Sequence, residues 1–361
     1  MYAQSECEMI RKKYKVIIVG AGPAGLAAAL TFNRLGMDSE IIVIERFSFP
    51  RYKCCAGYIT GKTRKAYSEF GLDTDMVHYS LIKDFNIFYN LKKRQTIQNK
   101  FLYTNRKIDR VELDNAFFEL AVSAGVRVME NTGIASHNTA EKYIVTSEGH
   151  ELHYDYLIFA DGTSGYGSRY LPEKGRNIAM QMVFASDRPE EIQIHFGITK
   201  HGYGWASSYG GVTNVGLTDR YKPDVNYKKV FKEFMEQLGF DEDLSQLRGA
   251  FTPMYAYCPE EMAVKGIFFA GDAAGACDPL TLSGLRYALG CGKACARAIA
   301  SGDGRPYKLY MKSLRRKFAF MRLLMRIFYL KPVMFCVFSV GCRFFGGLIA
   351  AVFNNFFVNK K

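Results

Sequence analysis

One stretch near the N-terminus, KYKVIIVGAGPAGLAAALTFNRLGMDSEIIVIER, restricts the fold more than any other. Val16 to Val19 is a branched apolar run of the kind a buried parallel strand requires. Gly20-Ala21-Gly22-Pro23-Ala24-Gly25 follows without a break, and an alanine-rich helical pattern continues to Leu35, with Gly36 as its stop. A second buried strand, Ile41 to Ile44, ends at Glu45. Each position has a physical task. Gly20 permits the tight turn, Gly22 lets backbone approach a pyrophosphate, and Gly25 lets helix and strand pack closely, with Ala24 in the same turn. The helix start offers free N–H groups to phosphate. Glu45, twenty residues past Gly25, is placed to accept from ribose hydroxyls. The apolar run to Leu30 also has the look of a secretion signal, but its glycines and the strand and acid that follow argue against one, and the first residues, MYAQSECEMIRKK, are polar.

This fingerprint serves NAD and FAD alike, so a second element must discriminate between them. KGIFFAGDAAGACDPLTLSGLRYALGCGKACARAIASG supplies it. Gly266 to Ala270 reads as a buried strand ending in Gly271-Asp272, and a long helix opens near Gly284 and Leu285. An aspartate at that strand end suits a ribityl hydroxyl, and the helix start suits the flavin pyrimidine ring. There is no second GxGxxG, so NAD(P)H or another reductant is expected to visit transiently as electron donor.

These paired elements resemble the FAD-dependent glutathione-reductase-type flavoproteins, in particular the geranylgeranyl reductase family, over about residues 14 to 305. YDYLIFADGTSG is similar to that family's third flavin element, with Asp161 at the cofactor, and IDRVELDNAFFELAVSAGVRV to its Arg-x-x-x-Asp helix. The resemblance implies that Arg110 contacts the dinucleotide and that Asp114 is structural. It also implies an α/β fold: a Rossmann-type FAD-binding domain, an antiparallel-sheet substrate domain, and C-terminal helices. The expected division is FAD-binding domain at 1–80, 104–175 and 264–304, substrate domain at 81–103 and 176–263, and a basic amphipathic helical segment at 305–361.

FPRYKCCAGY, residues 49–58, lies in the loop leaving the second strand. Zinc-finger spacing is missing and no metal is expected; with nine scattered cysteines in a reduced setting, a disulfide is not expected either. Cys54-Cys55-Ala56-Gly57 resembles the family's Cys-Gly-x-Gly pattern beside the isoalloxazine ring, with Cys55 where a glycine is usual. On this resemblance Cys54 is the catalytic candidate, and Arg46, Cys55 and Gly57 join the cofactor-binding set. Arg51 and Lys53 are expected to lower a thiol pKa. The alternative is a pair of small buried residues lining the cofactor. HGYGWASSYGGVTNVGL resembles the family segment walling the substrate tunnel, with Tyr203 and Trp205 as substrate residues; Ala206-Ser207-Ser208 replaces its Phe-Pro step.

The activity implied is reduction of a carbon–carbon double bond in an isoprenoid or other lipid-like substrate by hydride transfer from reduced flavin, with Cys54 or an ordered water supplying the proton. The alternatives are an FAD-dependent monooxygenase of a lipid or aromatic substrate, and a membrane-bound redox sensor. Net charge is +13, but Arg305 to Lys361 holds 12 Lys+Arg and no acid, leaving 36 Lys+Arg against 35 Asp+Glu elsewhere. That distribution excludes a uniformly basic nucleic-acid binder. Basic residues interleaved with Phe, Leu and Met from Arg305 to Lys331 suit an interfacial helix. The charge-free runs 332–342 and 344–359 have 11 and 16 residues, short of the ~20 that span a bilayer. The expected location is cytoplasmic, bound to the membrane surface through 305–361.

Overall fold

The computed structural model describes residues 11–82, 84–98, 105–170, 175–255, 263 and 265–341. The remaining parts of the expected segments, including 342–361, lie outside the described residues.

The first sheet is built on the N-terminal strand Arg11–Val19, paired in parallel with Ile41–Ile44 on one edge and Glu151–Phe159 on the other. Val128–Met129 extends it beyond Ile41–Ile44. On the far edge of Glu151–Phe159, Ile267–Phe269 pairs in parallel and Tyr143–Thr146 antiparallel, with Ile134–Asn138 outermost. The central strands are buried on both faces, which is why they read as unbroken Val/Ile runs. Helix α1, Pro23–Arg34, lies against this sheet. Helices α2, Gly61–Ser68, and α3, Arg110–Ser123, flank it, and α4, Tyr227–Gln237, belongs to the second sheet. Helix α5, Leu285–Ser301, crosses α1 so closely that a Cβ at Gly292 would stand 2.0 Å from the Ala24 carbonyl oxygen.

The second sheet runs in the order Arg248–Pro253, Arg176–Ala185, Val212–Arg220, Tyr203–Tyr209, Glu191–Phe196, Asp84–Tyr89, Lys92–Gln98. It is antiparallel except where Glu191–Phe196 meets Asp84–Tyr89. Alternation along its strands assigns two faces. Met182, Val215 and Leu217 pack on Phe231, Phe234 and Met235 of α4. Ile192, Ile194 and Phe196 face the other way.

The basic C-terminal segment begins as helix α6, Arg305–Phe328. It is not an appended tail. Tyr307, Met311, Leu314 and Phe318 belong to the main core, and Met325 and Tyr329 close over the second sheet. No helix of the described residues is long and apolar enough to cross a membrane.

Candidate active site between the two sheets

The glycine turn is fixed by sterics. Gly20 has φ +99°, and a Cβ there would sit 2.6 Å from the Ala160 carbonyl oxygen. A Cβ on Gly25 would stand 1.9 Å from the Gly20 carbonyl oxygen, so this glycine sets helix-to-strand packing. Gly22 is different: a Cβ there would meet only the Arg51 guanidinium, at 3.5 Å. The protein leaves space above Gly22. Glu45 closes the turn from below, its Oε2 accepting from the Ala21 N–H at 2.9 Å.

A cavity of about 970 Å³ runs from this turn to the second sheet. Among the candidates read from sequence, Gly20, Gly22, Ala24, Glu45, Arg46, Cys54, Cys55, Arg110, Asp161, Tyr203, Trp205, Asp272, Gly284 and Leu285 all line it. Gly25 and Gly57 do not. Gly57 has φ +75° and lies against the strand Arg106–Ile108, where a Cβ would be 2.3 Å from the Ile108 carbonyl oxygen. It shapes the loop by close backbone approach rather than by walling the cavity.

Arg110 and Asp114 form a buried bidentate pair at 2.8–3.0 Å. Burial alone would lower the Arg110 pKa; the Asp114 carboxylate more than offsets this and holds the guanidinium charged. Arg51 reaches toward Glu45 at 3.7 Å and Asp114 at 4.0 Å. The loop that carries it is pinned by Phe49, which stacks on Phe118 of α3 at 4.2 Å and donates its N–H to Glu130.

The cysteine loop departs from expectation. Burial pushes the Cys54 thiol up to about 12, neighbouring Cys55 adds to this, and Lys53 opposes it without offsetting it. Arg51 is turned toward carboxylates instead of the sulfur. Cys54 is therefore a thiol, not a thiolate, at neutral pH. Tyr52, which sequence reasoning passed over, is hydrogen-bonded to Cys54 and accepts from Gln181 Nε2 at 2.6 Å. Cys55 accepts from the Gly57 N–H, and its carbonyl oxygen lies 3.5 Å from Asn214 Nδ2. Asn214 Oδ1 in turn accepts from Trp205 Nε1 at 2.8 Å, and the Trp205 ring occupies the space over Gly216. The substrate-side aromatic wall and the cysteine loop are thus one bonded unit.

Buried Arg51 Nε, Asp161 Oδ1 and Gln181 Oε1, all on cavity-lining residues, have no hydrogen-bond partner. With the open space above Gly22, these orphaned atoms fit a polar, hydroxyl- and phosphate-bearing group such as FAD. No cluster of metal ligands occurs among the described residues.

Burial raises the Asp161 carboxyl to about 6 and lowers His137 and His195 to about 4. Below about pH 6.5 the unfolded histidines take up protons that the folded ones refuse, so stability present above that pH is lost as pH falls toward 4. Asp161 acts with the opposite sign, because between pH 3.8 and about 6 its folded carboxyl keeps a proton that the unfolded one releases. Thermal melts of the flavin-free protein should fall from pH 6.5 to 4, less steeply in His137→Gln and more steeply in Asp161→Asn. A melting temperature that is flat across this window would contradict the assignment.

Three comparisons bear on this site. A family model described as FAD binding domain matches residues 13–290. The menaquinone reductase of Mycolicibacterium smegmatis is 27% identical over 324 residues, covering 81% of this chain and 78% of its own. The geranylgeranyl diphosphate reductase of Rhodobacter capsulatus is 24% identical, covering 88% and 85%. Among solved structures, a geranylgeranyl bacteriochlorophyll reductase-like protein from Thermoplasma acidophilum superposes with a TM-score of 0.74 at 21% identity, covering 89% of both chains.

Proposed function

The chain belongs to the FAD binding domain family, and from that premise we propose that this FAD-dependent oxidoreductase saturates carbon–carbon double bonds of an isoprenoid or similar lipid. One observation carries the reading. The glycine turn, the Cys54 thiol and an apolar wall of Phe85, Ile194, Trp205 and Met321 face a single cavity. Two relatives at 27% and 24% identity, named as a menaquinone reductase and a geranylgeranyl diphosphate reductase, point the same way.

The Gly20–Gly25 turn, Glu45, Arg110 and Asp272 would hold FAD, which when reduced would supply a hydride. The chain's own residues do the rest. The second sheet excludes water and orients the alkene. Tyr52 accepts from Gln181, so its own hydrogen is directed to Cys54 Sγ. That leaves the thiol hydrogen available to the alkene carbon that does not receive hydride, and Tyr52 positioned to restore it. Extraction of purified protein and mass spectrometry should find prenyl lipids in pairs differing by two hydrogens. Extracts holding no alkene lipid would defeat the reading.

Docking at an anionic bilayer surface belongs to the same proposal. The outer face of α6, the turn after it and the short helix Lys331–Phe335 expose Phe320, Leu323, Ile327, Leu330 and Phe335. Exposed Lys312, Arg315, Arg316, Arg326 and Lys331 flank them, with no acid from Arg305 onward. Anionic headgroups attract each nearby cation by about 1 kcal/mol, screened by salt. An adjoining face of the same helix contributes Lys317 and Met321 to the cavity, so docking would bring bilayer and cavity to one element. Full-length protein should sediment with anionic vesicles at low salt. Phe320→Ser/Leu323→Ser and Arg315→Gln/Arg316→Gln/Arg326→Gln variants should each stay in the supernatant while keeping their flavin. Undiminished sedimentation of both would rule out this face.

A further inference from the structure

Two cations of the cavity wall, one of them next to the helix start assigned to the flavin, have no part in the chemistry at the thiol. Arg286, in the first turn of α5, and Lys317, midway along α6, both line the cavity. Both donate to the same phenol oxygen, Tyr287 Oη, Arg286 Nη2 at 2.5 Å and Lys317 Nζ in close contact. Both also lie over the Tyr287 ring, at 4.5 and 4.8 Å from its centre. Among the described residues neither has a carboxylate within ion-pair distance. Asp278, an acid whose charge acts on Lys317, is already engaged by the Leu280 and Thr281 N–H groups. Two cations held together in a partly buried wall repel each other. Burial lowers the Lys317 pKa first and the Arg286 charge lowers it further, against a smaller pull from Asp278, with Lys62 adding to the lowering. An anion bridging them would satisfy both charges, and a phosphate offers oxygens for the planar guanidinium fork and the point-like ammonium at once.

We propose that Arg286 and Lys317 form a binding site for the phosphate or diphosphate head of the substrate, which makes that substrate an anionic prenyl lipid and not a neutral quinone. The proposal rests on the reading of the cavity as a lipid-alkene site. Tyr287 positions the two cations, and the prenyl chain extends from them along the apolar wall.

The test uses the FAD-loaded full chain and inorganic pyrophosphate as probe, followed by calorimetry. Pyrophosphate should bind, about tenfold or more weakly in Lys317→Gln and in Arg286→Gln, each of which loses a charged hydrogen-bond donor, and near the parent affinity in Lys317→Arg. The flavin absorbance spectrum of each variant should match that of the parent. Pyrophosphate should also compete with geranyl diphosphate, while binding of geraniol should be indifferent to Lys317→Gln. Absence of pyrophosphate binding, or equal binding by parent and both neutral variants, would overturn the proposal. So would competition with NADPH and not with geranyl diphosphate, because the site would then serve the electron donor. If geraniol and geranyl diphosphate both fail to reoxidise reduced flavin while the pyrophosphate results hold, the lipid-reductase reading fails and the anion site stands.

Discussion

Gly22→Val is expected to abolish FAD retention while leaving the folded protein intact. A Cβ at Gly22 meets nothing of the protein closer than 3.5 Å, and its backbone, φ −72° and ψ 177°, is open to any residue. The added side chain would occupy the space in which a pyrophosphate must approach the helix start. Affinity for FAD, read by quenching of flavin fluorescence, should fall at least about 100-fold, equivalent to about 2.7 kcal/mol. The melting temperature of the flavin-free protein should stay close to that of the parent. Gly25→Ala is the contrasting case, since its Cβ would collide with the Gly20 carbonyl oxygen and it should lose flavin and fold together. A yellow Gly22→Val protein would mean that the cofactor lies elsewhere.

Cys54→Ser should slow alkene reduction by on the order of 100-fold, the range lost with a positioned proton donor, and leave flavin reduction by the electron donor within about twofold. The split matters more than the size. A cysteine that only shapes the flavin pocket would disturb both half-reactions together. Tyr52→Phe removes the hydroxyl that Gln181 and Cys54 share and should give a smaller loss in the same half-reaction. Stopped-flow absorbance of the two half-reactions separates these outcomes. Parent-like turnover by Cys54→Ser would assign the proton to water.

How much of this was legible in the sequence depends on the distance over which each feature is encoded. The strand–turn–helix–strand unit could be read because a doubly buried parallel strand is a run of Val and Ile, and because Gly20 and Gly25 are demanded by local sterics. The start of α5 at Leu285 and the strand Ile41–Ile44 stand where the pattern put them. The thiol was not legible. Lys53 and Arg51 are sequence neighbours of Cys54, but burial outweighs Lys53, and Arg51 is drawn to Glu45 and Asp114 by contacts that no local pattern encodes. The Gln181–Tyr52 bond joins residues 129 apart and left no local signal. Helix α6 shows a third limit. Its apolar residues occupy two faces, and periodicity alone does not say that Met311, Leu314 and Phe318 enter the core while Phe320, Leu323 and Ile327 stay outside.

The central claim is that reduced flavin in this cavity passes its electrons to a lipid double bond without oxygen. The most direct measurement is a single turnover under argon, with FAD-loaded protein reduced by dithionite, freed of excess reductant, and mixed with geranylgeranyl diphosphate. The account predicts that oxidised-flavin absorbance returns and that one equivalent of product per flavin, heavier by two hydrogens, appears at the same rate. Flavin that stays reduced until oxygen is admitted, and then yields an oxygenated product, would contradict it.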